Sequence, residues 1–187
     1  QVEALRREFD AASNFSLRPN DPQNAESGAA RHTNLEYFSP VFDGAWSHSR
    51  HLAAVWEFLQ RPFELFTING RDPKPGQGEQ GLHRDVKPTA DGRIQAVQSL
   101  WMLDDFELDN GATRIVPASH FLDERFYELP ADRKRPPHPG QVILTGPAGT
   151  IVVFSTHLLH GGTRNVSGKR RRALHSTFVP EDFRRDW

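Results

Sequence analysis

Residues 149–165 read GTIVVFSTHLLHGGTRN, a short β-branched and aromatic run followed by two histidines and a glycine pair. The run TIVVF is shorter than an ordinary helix, rich in Val and Ile, and preceded by the turn residues GPAG at 146–149, so it reads as a buried strand. The same texture recurs in FELFTIN (63–69), RIQAVQSLWML (93–103), ATRIVP (112–117), QVILT (141–145) and RALHSTFV (172–179). Strands of this length, split by turns such as DNG at 109–111, predict a mainly β chain folded as an antiparallel barrel or jelly roll. Asn110-Gly111 is a strong hairpin signal, and Thr113 to Val116 begin the strand after it.

Ahead of these strands the period changes. Val2, Leu5 and Phe9 recur at helical spacing in VEALRREFDAAS, and Leu52, Val55, Trp56 and Leu59 do so in SRHLAAVWEFLQRP until Pro62 stops the helix. These helices are expected to pack outside the barrel. Between them SLRPNDPQNAESGAARH (16–32) reads as a mobile loop, and PADRKRPPHPG (130–140) as a surface excursion. Residues 1–187 therefore read as one domain, with a helical part over about 1–62 and a jelly-roll core over about 63–180. The start at Gln1 rather than Met suggests a natural chain that extends further.

Composition narrows the chemistry. With 23 basic and 24 acidic residues the net charge is -1, which lacks the positive field of a nucleic-acid binder and points to a small-molecule partner. No apolar run approaches the roughly 20 residues that span a bilayer, so a soluble, cytoplasmic protein without membrane contact is expected. Cysteine is absent, which removes disulfides, thiolate metal sites and cysteine nucleophiles. Any metal must be held by His and carboxylate.

One such cluster is suggested by GEQGLHRDVKP (78–88), where His83 and Asp85 stand two positions apart. On a strand, such residues point to the same side. The triplet alone is weak, because nine histidines supply an H-x-D by chance about as often as not. A third ligand must come from another strand. His157 and His160 are the candidates, on opposite faces of a regular strand; His160, beside Gly161 and Gly162, is the better placed, and His157 reads as a partner for a backbone group. Two histidines and one carboxylate leave positions open and suit non-haem Fe(II). A zinc hydrolase would also want a general base, and H-E-x-x-H is missing.

Beyond these residues, the segments LHRD, QSLWMLDDFELDNGATRIVPASH, HPGQVIL, GTIVVF and HGGTRNVSGKRRRALH resemble the phytanoyl-CoA dioxygenase family of Fe(II)/2-oxoglutarate-dependent oxygenases, over about residues 60–180. The resemblance implies a double-stranded β-helix, a jelly-roll variant. It also implies His83, Asp85 and His160 as iron ligands, with 2-oxoglutarate and O2 as cosubstrates. Arg171 falls where the family places the arginine that pairs with the far carboxylate of 2-oxoglutarate, a task that suits a planar, permanently charged fork. Strand alternation then leaves Arg170 and Arg172 in solvent, and puts His175 on the same face as Arg171, as a substrate contact. Ser99 and Trp101 share a face of a strand that by resemblance lines the pocket: Ser99 for 2-oxoglutarate, Trp101 for substrate. Asn69 and Gln80 are further 2-oxoglutarate candidates, and the Gly/Pro segment around them reads as a lid. Where some members of the family carry a hydroxyl two residues after the distal histidine, this chain has Gly162. Arg84, between the two ligands, is expected to point away from the metal toward an acid.

The implied reaction is hydroxylation of an unactivated C–H bond of a small organic molecule, with release of succinate and CO2. The alternatives are a non-catalytic metal or small-molecule binding module of the same fold and a zinc-dependent hydrolase.

Overall fold

The computed structural model describes residues 1–12, 15, 28–89, 91–121 and 137–183. Two antiparallel sheets face each other. The larger runs β1 (Ala29–His32), β2 (Phe63–Pro73), β8 (Ala173–Pro180), β3 (Val97–Met102) and β6 (Ile151–Ser155). The smaller runs β5 (Val142–Ile143), β4 (Thr113–Ile115) and β7 (His160–Gly162). Leu100, Met102 and Ala173 from the large sheet meet Phe106, Ala112 and Leu158 between the layers, so one core fills the space between the sheets.

The second core lies on the outer face of the large sheet. Leu5 and Phe9 of α1 (Val2–Ala11), together with Leu35, Phe42 and, from the short α2 (Asp43–Trp46), Ala45, pack on Ile68, Trp101 and Leu174. The expected helix stripe is thus buried against the barrel. Gly70 is required there: a Cβ at this position would lie 2.7 Å from the Phe9 ring and 2.9 Å from His32. Helix α3 (Ser49–Leu59) covers a further patch, setting Val55 and Leu59 on Val97 and Phe178.

Three expectations change. Residues 16–27 lie outside the described chain, but Ala29–His32, read from the sequence as loop, pair with Gly70–Pro73 as an edge strand. Two alanines and an alternating Arg-His carry little strand signal by themselves, and the pairing comes from β2. The stretch 150–159 is not one strand: β6 ends at Ser155, residues 156–158 turn, and His160 opens β7 in the opposite sheet. Finally, His83 is on no regular strand. It forms a two-way bridge to His160, each N–H donating to the other's carbonyl at 2.9 and 3.0 Å. The excursion at 130–140 falls largely outside the described residues.

Candidate metal centre and its cavity

The His83–His160 bridge explains how residues 77 positions apart meet. His160 begins β7, and the arm carrying His83 and Asp85 runs beside it, continued by the Asp85 N–H donating to the Thr156 carbonyl at 3.2 Å. Arg84 points the other way: its guanidinium donates to the carbonyls of His157 at 2.8 Å and Ser119 at 2.7 Å. These contacts pin the arm to the 156–158 turn.

Donor atoms of His83, Asp85 and His160 lie within 4.8 Å of one another. The Asp85 carboxylate is 3.6 Å from His83 Nε2 and 3.4 Å from His160 Nε2. Donors held about 2.1 Å from an ion and at right angles stand roughly 3 Å apart, so the two Asp85 contacts need about half an ångström of contraction to admit a divalent metal. Both rings are already aimed. The Nδ1 atoms sit 2.8 Å from the Gly81 carbonyl and 2.9 Å from the Leu158 carbonyl, which fixes Nδ1–H and turns each Nε2 lone pair toward Asp85. The donor set fits iron(II), a metal suited to two imidazoles and a carboxylate on one face.

Burial raises the Asp85 carboxyl, but the His160 hydrogen bond and the charges of His160, His83 and His175 outweigh it and hold it at about 2. Asp85 is therefore ionised at neutral pH, although 36 % of its side chain faces the open cavity. Burial lowers the His160 pKa, yet Asp85 reverses the sign and the net shift is upward. His83 is pushed down, first by burial and then by His160.

A cavity of about 80 Å³ opens beside the trio, lined among others by Asn69, Gln80, His175, Gln98 and Arg71. It adjoins a second of about 210 Å³ that shares Arg31, Asn69, Asp85 and Gln98. Three of the residues expected from the sequence stand here, each with its own surroundings. Asn69 pairs with His175 across β2 and β8, so the two share the cavity face. His175 Nε2 is buried with no hydrogen-bond partner among the described residues. Its pKa is far below the ordinary value, through burial and then Arg171, Arg71 and Arg31. Gln80 uses its side-chain oxygen to accept the Gly162 N–H at 3.0 Å, while its own N–H donates to the Gly162 carbonyl at 2.9 Å, so it braces β7.

Arg171 is fully buried, with its guanidinium 4.7 Å from the Phe106 ring centroid. Of its neighbours, Arg170 stays exposed as expected and Arg172 does not. Arg170 pairs with Asp10 and Asp72, and Arg172, only 12 % exposed, with Asp10 and Asp104.

Ser99 and Trp101 are corrected. Register pairs them with Ser176 and Leu174, on the opposite face of the sheet from His175. Ser99 donates to the Ser176 carbonyl at 3.4 Å, and Trp101 belongs to the core under α1. The site-facing residue of that strand is Gln98, opposite Phe154, whose ring meets His160 edge-on at 5.3 Å. His157 also differs from expectation: its Nε2 is buried without a hydrogen-bond partner among the described residues. Arg71 was legible by parity, two residues after Asn69 on one strand, but was not singled out. Its guanidinium donates to the Gly78 carbonyl at 2.6 Å and lies 2.7 Å from where a Gly162 Cβ would stand. The missing hydroxyl at position 162 thus has a steric reason: arginine occupies its space.

A family profile for phytanoyl-CoA dioxygenase (PhyH) matches residues 1–173. This chain belongs to the phytanoyl-CoA dioxygenase family. Among curated relatives, the uncharacterized protein Rv1501 of Mycobacterium tuberculosis is 31% identical over 110 residues, 59% of this chain and 38% of that protein. Dioxygenase olcK of Penicillium canescens is 36% identical over 116 residues, 58% of this chain and 36% of that protein. The phytanoyl-CoA dioxygenase-family chain thus spans less than two-fifths of these relatives. In fold it resembles HygX from Streptomyces hygroscopicus, solved with nickel and 2-oxoglutarate bound: TM-score 0.79 at 19% identity, covering 97% of this chain and 78% of that one. The likeness establishes the jelly roll, with α1 and α3 on its outside. Among the described residues, no helix is long and apolar enough to cross a membrane.

Proposed function

We propose that this phytanoyl-CoA dioxygenase-family protein is an Fe(II)- and 2-oxoglutarate-dependent oxygenase that hydroxylates an unactivated C–H bond of a small organic molecule. The overall change balances as substrate C–H, 2-oxoglutarate and O2 going to the alcohol, succinate and CO2. The observation that carries the reading is the convergence of His83, Asp85 and His160 on one point, with one side left open to a cavity.

When bound, ferrous iron supplies the redox chemistry that couples decarboxylation of the cosubstrate to oxidation of the substrate. The protein's part is placement. His83 and His160 present Nε2 because their Nδ1 protons are held by carbonyls, and Asp85 supplies negative charge across the neutral pH range. Arg171 offers a buried guanidinium to the distal carboxylate of 2-oxoglutarate, where low dielectric strengthens the pairing. His175, held neutral, can donate or accept one hydrogen bond without adding charge. Asn69 supplies a polar amide on the cavity wall. Hydrolysis by zinc is disfavoured because Asp85 is the only carboxylate among the described residues of either cavity, which leaves no separate general base.

The test is anaerobic addition of Fe(II) and 2-oxoglutarate. A visible metal-to-ligand charge-transfer band is expected in wild type and none in His160→Ala, with succinate forming once oxygen is admitted. Zinc occupancy without succinate would support hydrolysis instead, and a band without turnover would support a binding module.

A further inference from the structure

The second cavity has a chemistry of its own. Part of its wall is apolar and aromatic: Phe66 and Phe183, with ring centroids 6.5 Å apart, and Val86 and Val179. Thr156 and Thr177 add hydroxyls, and Asp85 at its inner end places it directly against the metal trio. At about 210 Å³ it is the roomier of the two spaces, and His175, the residue on which Arg171 acts, lines the smaller cavity and not this one. It is therefore the place for the molecule to be oxidised, with the smaller cavity left to the cosubstrate.

Arg31 borders both cavities and is the one cation to do so among the described residues. It stands on edge strand β1 directly opposite Arg71 of β2. Like charges at such a position repel, so the pairing favours an anion close by. The two arginines and Arg171 all act on His175, which locates a concentrated positive field at the junction of the cavities.

Resting on the oxygenase reading above, we infer that the substrate is a small carboxylate with an apolar body, its carboxylate received by Arg31 and its body lying along Phe66, Val86, Val179 and Phe183. A guanidinium fork receives a carboxylate with two parallel hydrogen bonds, and an apolar wall selects the remainder.

The probe is para-fluorophenylacetate, compared with its neutral amide para-fluorophenylacetamide. Each is titrated anaerobically into protein carrying Fe(II) and 2-oxoglutarate and followed by fluorine NMR linewidth, with the charge-transfer band recorded in the same samples. The carboxylate is expected to bind at least about tenfold more tightly than the amide while the band persists. Arg31→Gln should bring the two within about twofold, and Arg31→Lys should keep part of the preference. Equal affinities in wild type, binding of neither probe, a preference that survives Arg31→Gln, or loss of the band as the carboxylate enters would each overturn the inference. If Arg31→Gln does not fold, the wild-type ratio and the lysine variant still decide. Repeating the titration on metal-free protein separates the two readings. A carboxylate preference without any band sinks the oxygenase alone, whereas a band without preference sinks only the carboxylate.

Discussion

Arg171 shows what a single residue can be asked to do. A fully buried guanidinium beside Phe106 is costly to keep unless an anion offsets the cost, and a dicarboxylate cosubstrate is such an anion. Arg171→Met is therefore expected to lower 2-oxoglutarate affinity at least about thirtyfold, or about 2 kcal/mol. Titration of the charge-transfer band checks this, and unchanged affinity would make Arg171 a packing residue. Gly162 makes the opposite point. A Cβ there would lie 2.7 Å from the Arg71 guanidinium and 3.1 Å from the Gly78 carbonyl, so Gly162→Ser is expected to cost about 1–3 kcal/mol by chemical denaturation rather than add a useful hydroxyl. At this scale the sequence was readable wherever chemistry restricts the choice: His83, Asp85 and His160 are brought together, and Arg171 turns inward. Arg31 and Arg71 stayed hidden because arginine is common on surfaces, and only their opposed register across β1 and β2 marks them.

Elements decide which way those residues look, and here sequence parity was half right. The alternation that links Arg171 to His175 also separates Gln98 from Ser99, but nothing local says which face of β3 is inside when all six of its residues are buried. Burial on both sides erases the period, so Ser99 and Trp101 were assigned to the wrong face. A regular strand would set His157 and His160 on opposite faces, but the chain breaks at 156–158 and crosses to the other sheet. The crossing is what delivers His160 to the arm carrying Asp85. The approach to β8 is fixed by ion pairs: Arg172 is held by Asp104 at 2.8 Å, and the Arg171 N–H donates to Asp72 at 3.1 Å. Burial raises the Asp104 carboxyl, but the Arg172 hydrogen bonds and charge more than offset it and the net shift is downward. Its stabilisation is thus complete above the unfolded value near 3.8 and is lost as pH falls through the lower folded value. Asp104→Asn is expected to cost about 1–3 kcal/mol at pH 7, and to narrow the gap from wild type below pH 3, as followed by urea melts.

Across the whole molecule, the jelly roll was legible because many short strands with turns between them have few other ways to bury both faces. The strand order was not, since β2 must find β8 about a hundred residues later. Burial of histidines throughout the fold also sets a global sensitivity to acid. His32, His51, His83, His120, His157 and His175 all have pKa values below the ordinary one, with burial as the leading cause in each. Below pH 6.5 the unfolded chain takes up protons that these folded sites refuse, so stability falls as pH drops toward the folded values; His160, shifted upward, works against this. His51 isolates the effect from the metal site. It lies on the buried face of α3, edge-on to Phe178 at 5.2 Å, with neither ring nitrogen hydrogen-bonded among the described residues. Burial lowers its pKa, and the Ala45 carbonyl is close enough to oppose the shift without meeting hydrogen-bond geometry. His51→Leu replaces an unsatisfied imidazole with a side chain suited to the Val55, Leu59 and Phe178 cluster. The variant is expected to gain about 1 kcal/mol at pH 7.5, and more at pH 5.5, where wild type alone carries the cost of keeping that ring neutral. Urea melts of metal-free protein at both pH values measure the difference. A gain that shrinks on acidification would mean that the His51 pKa is raised rather than lowered.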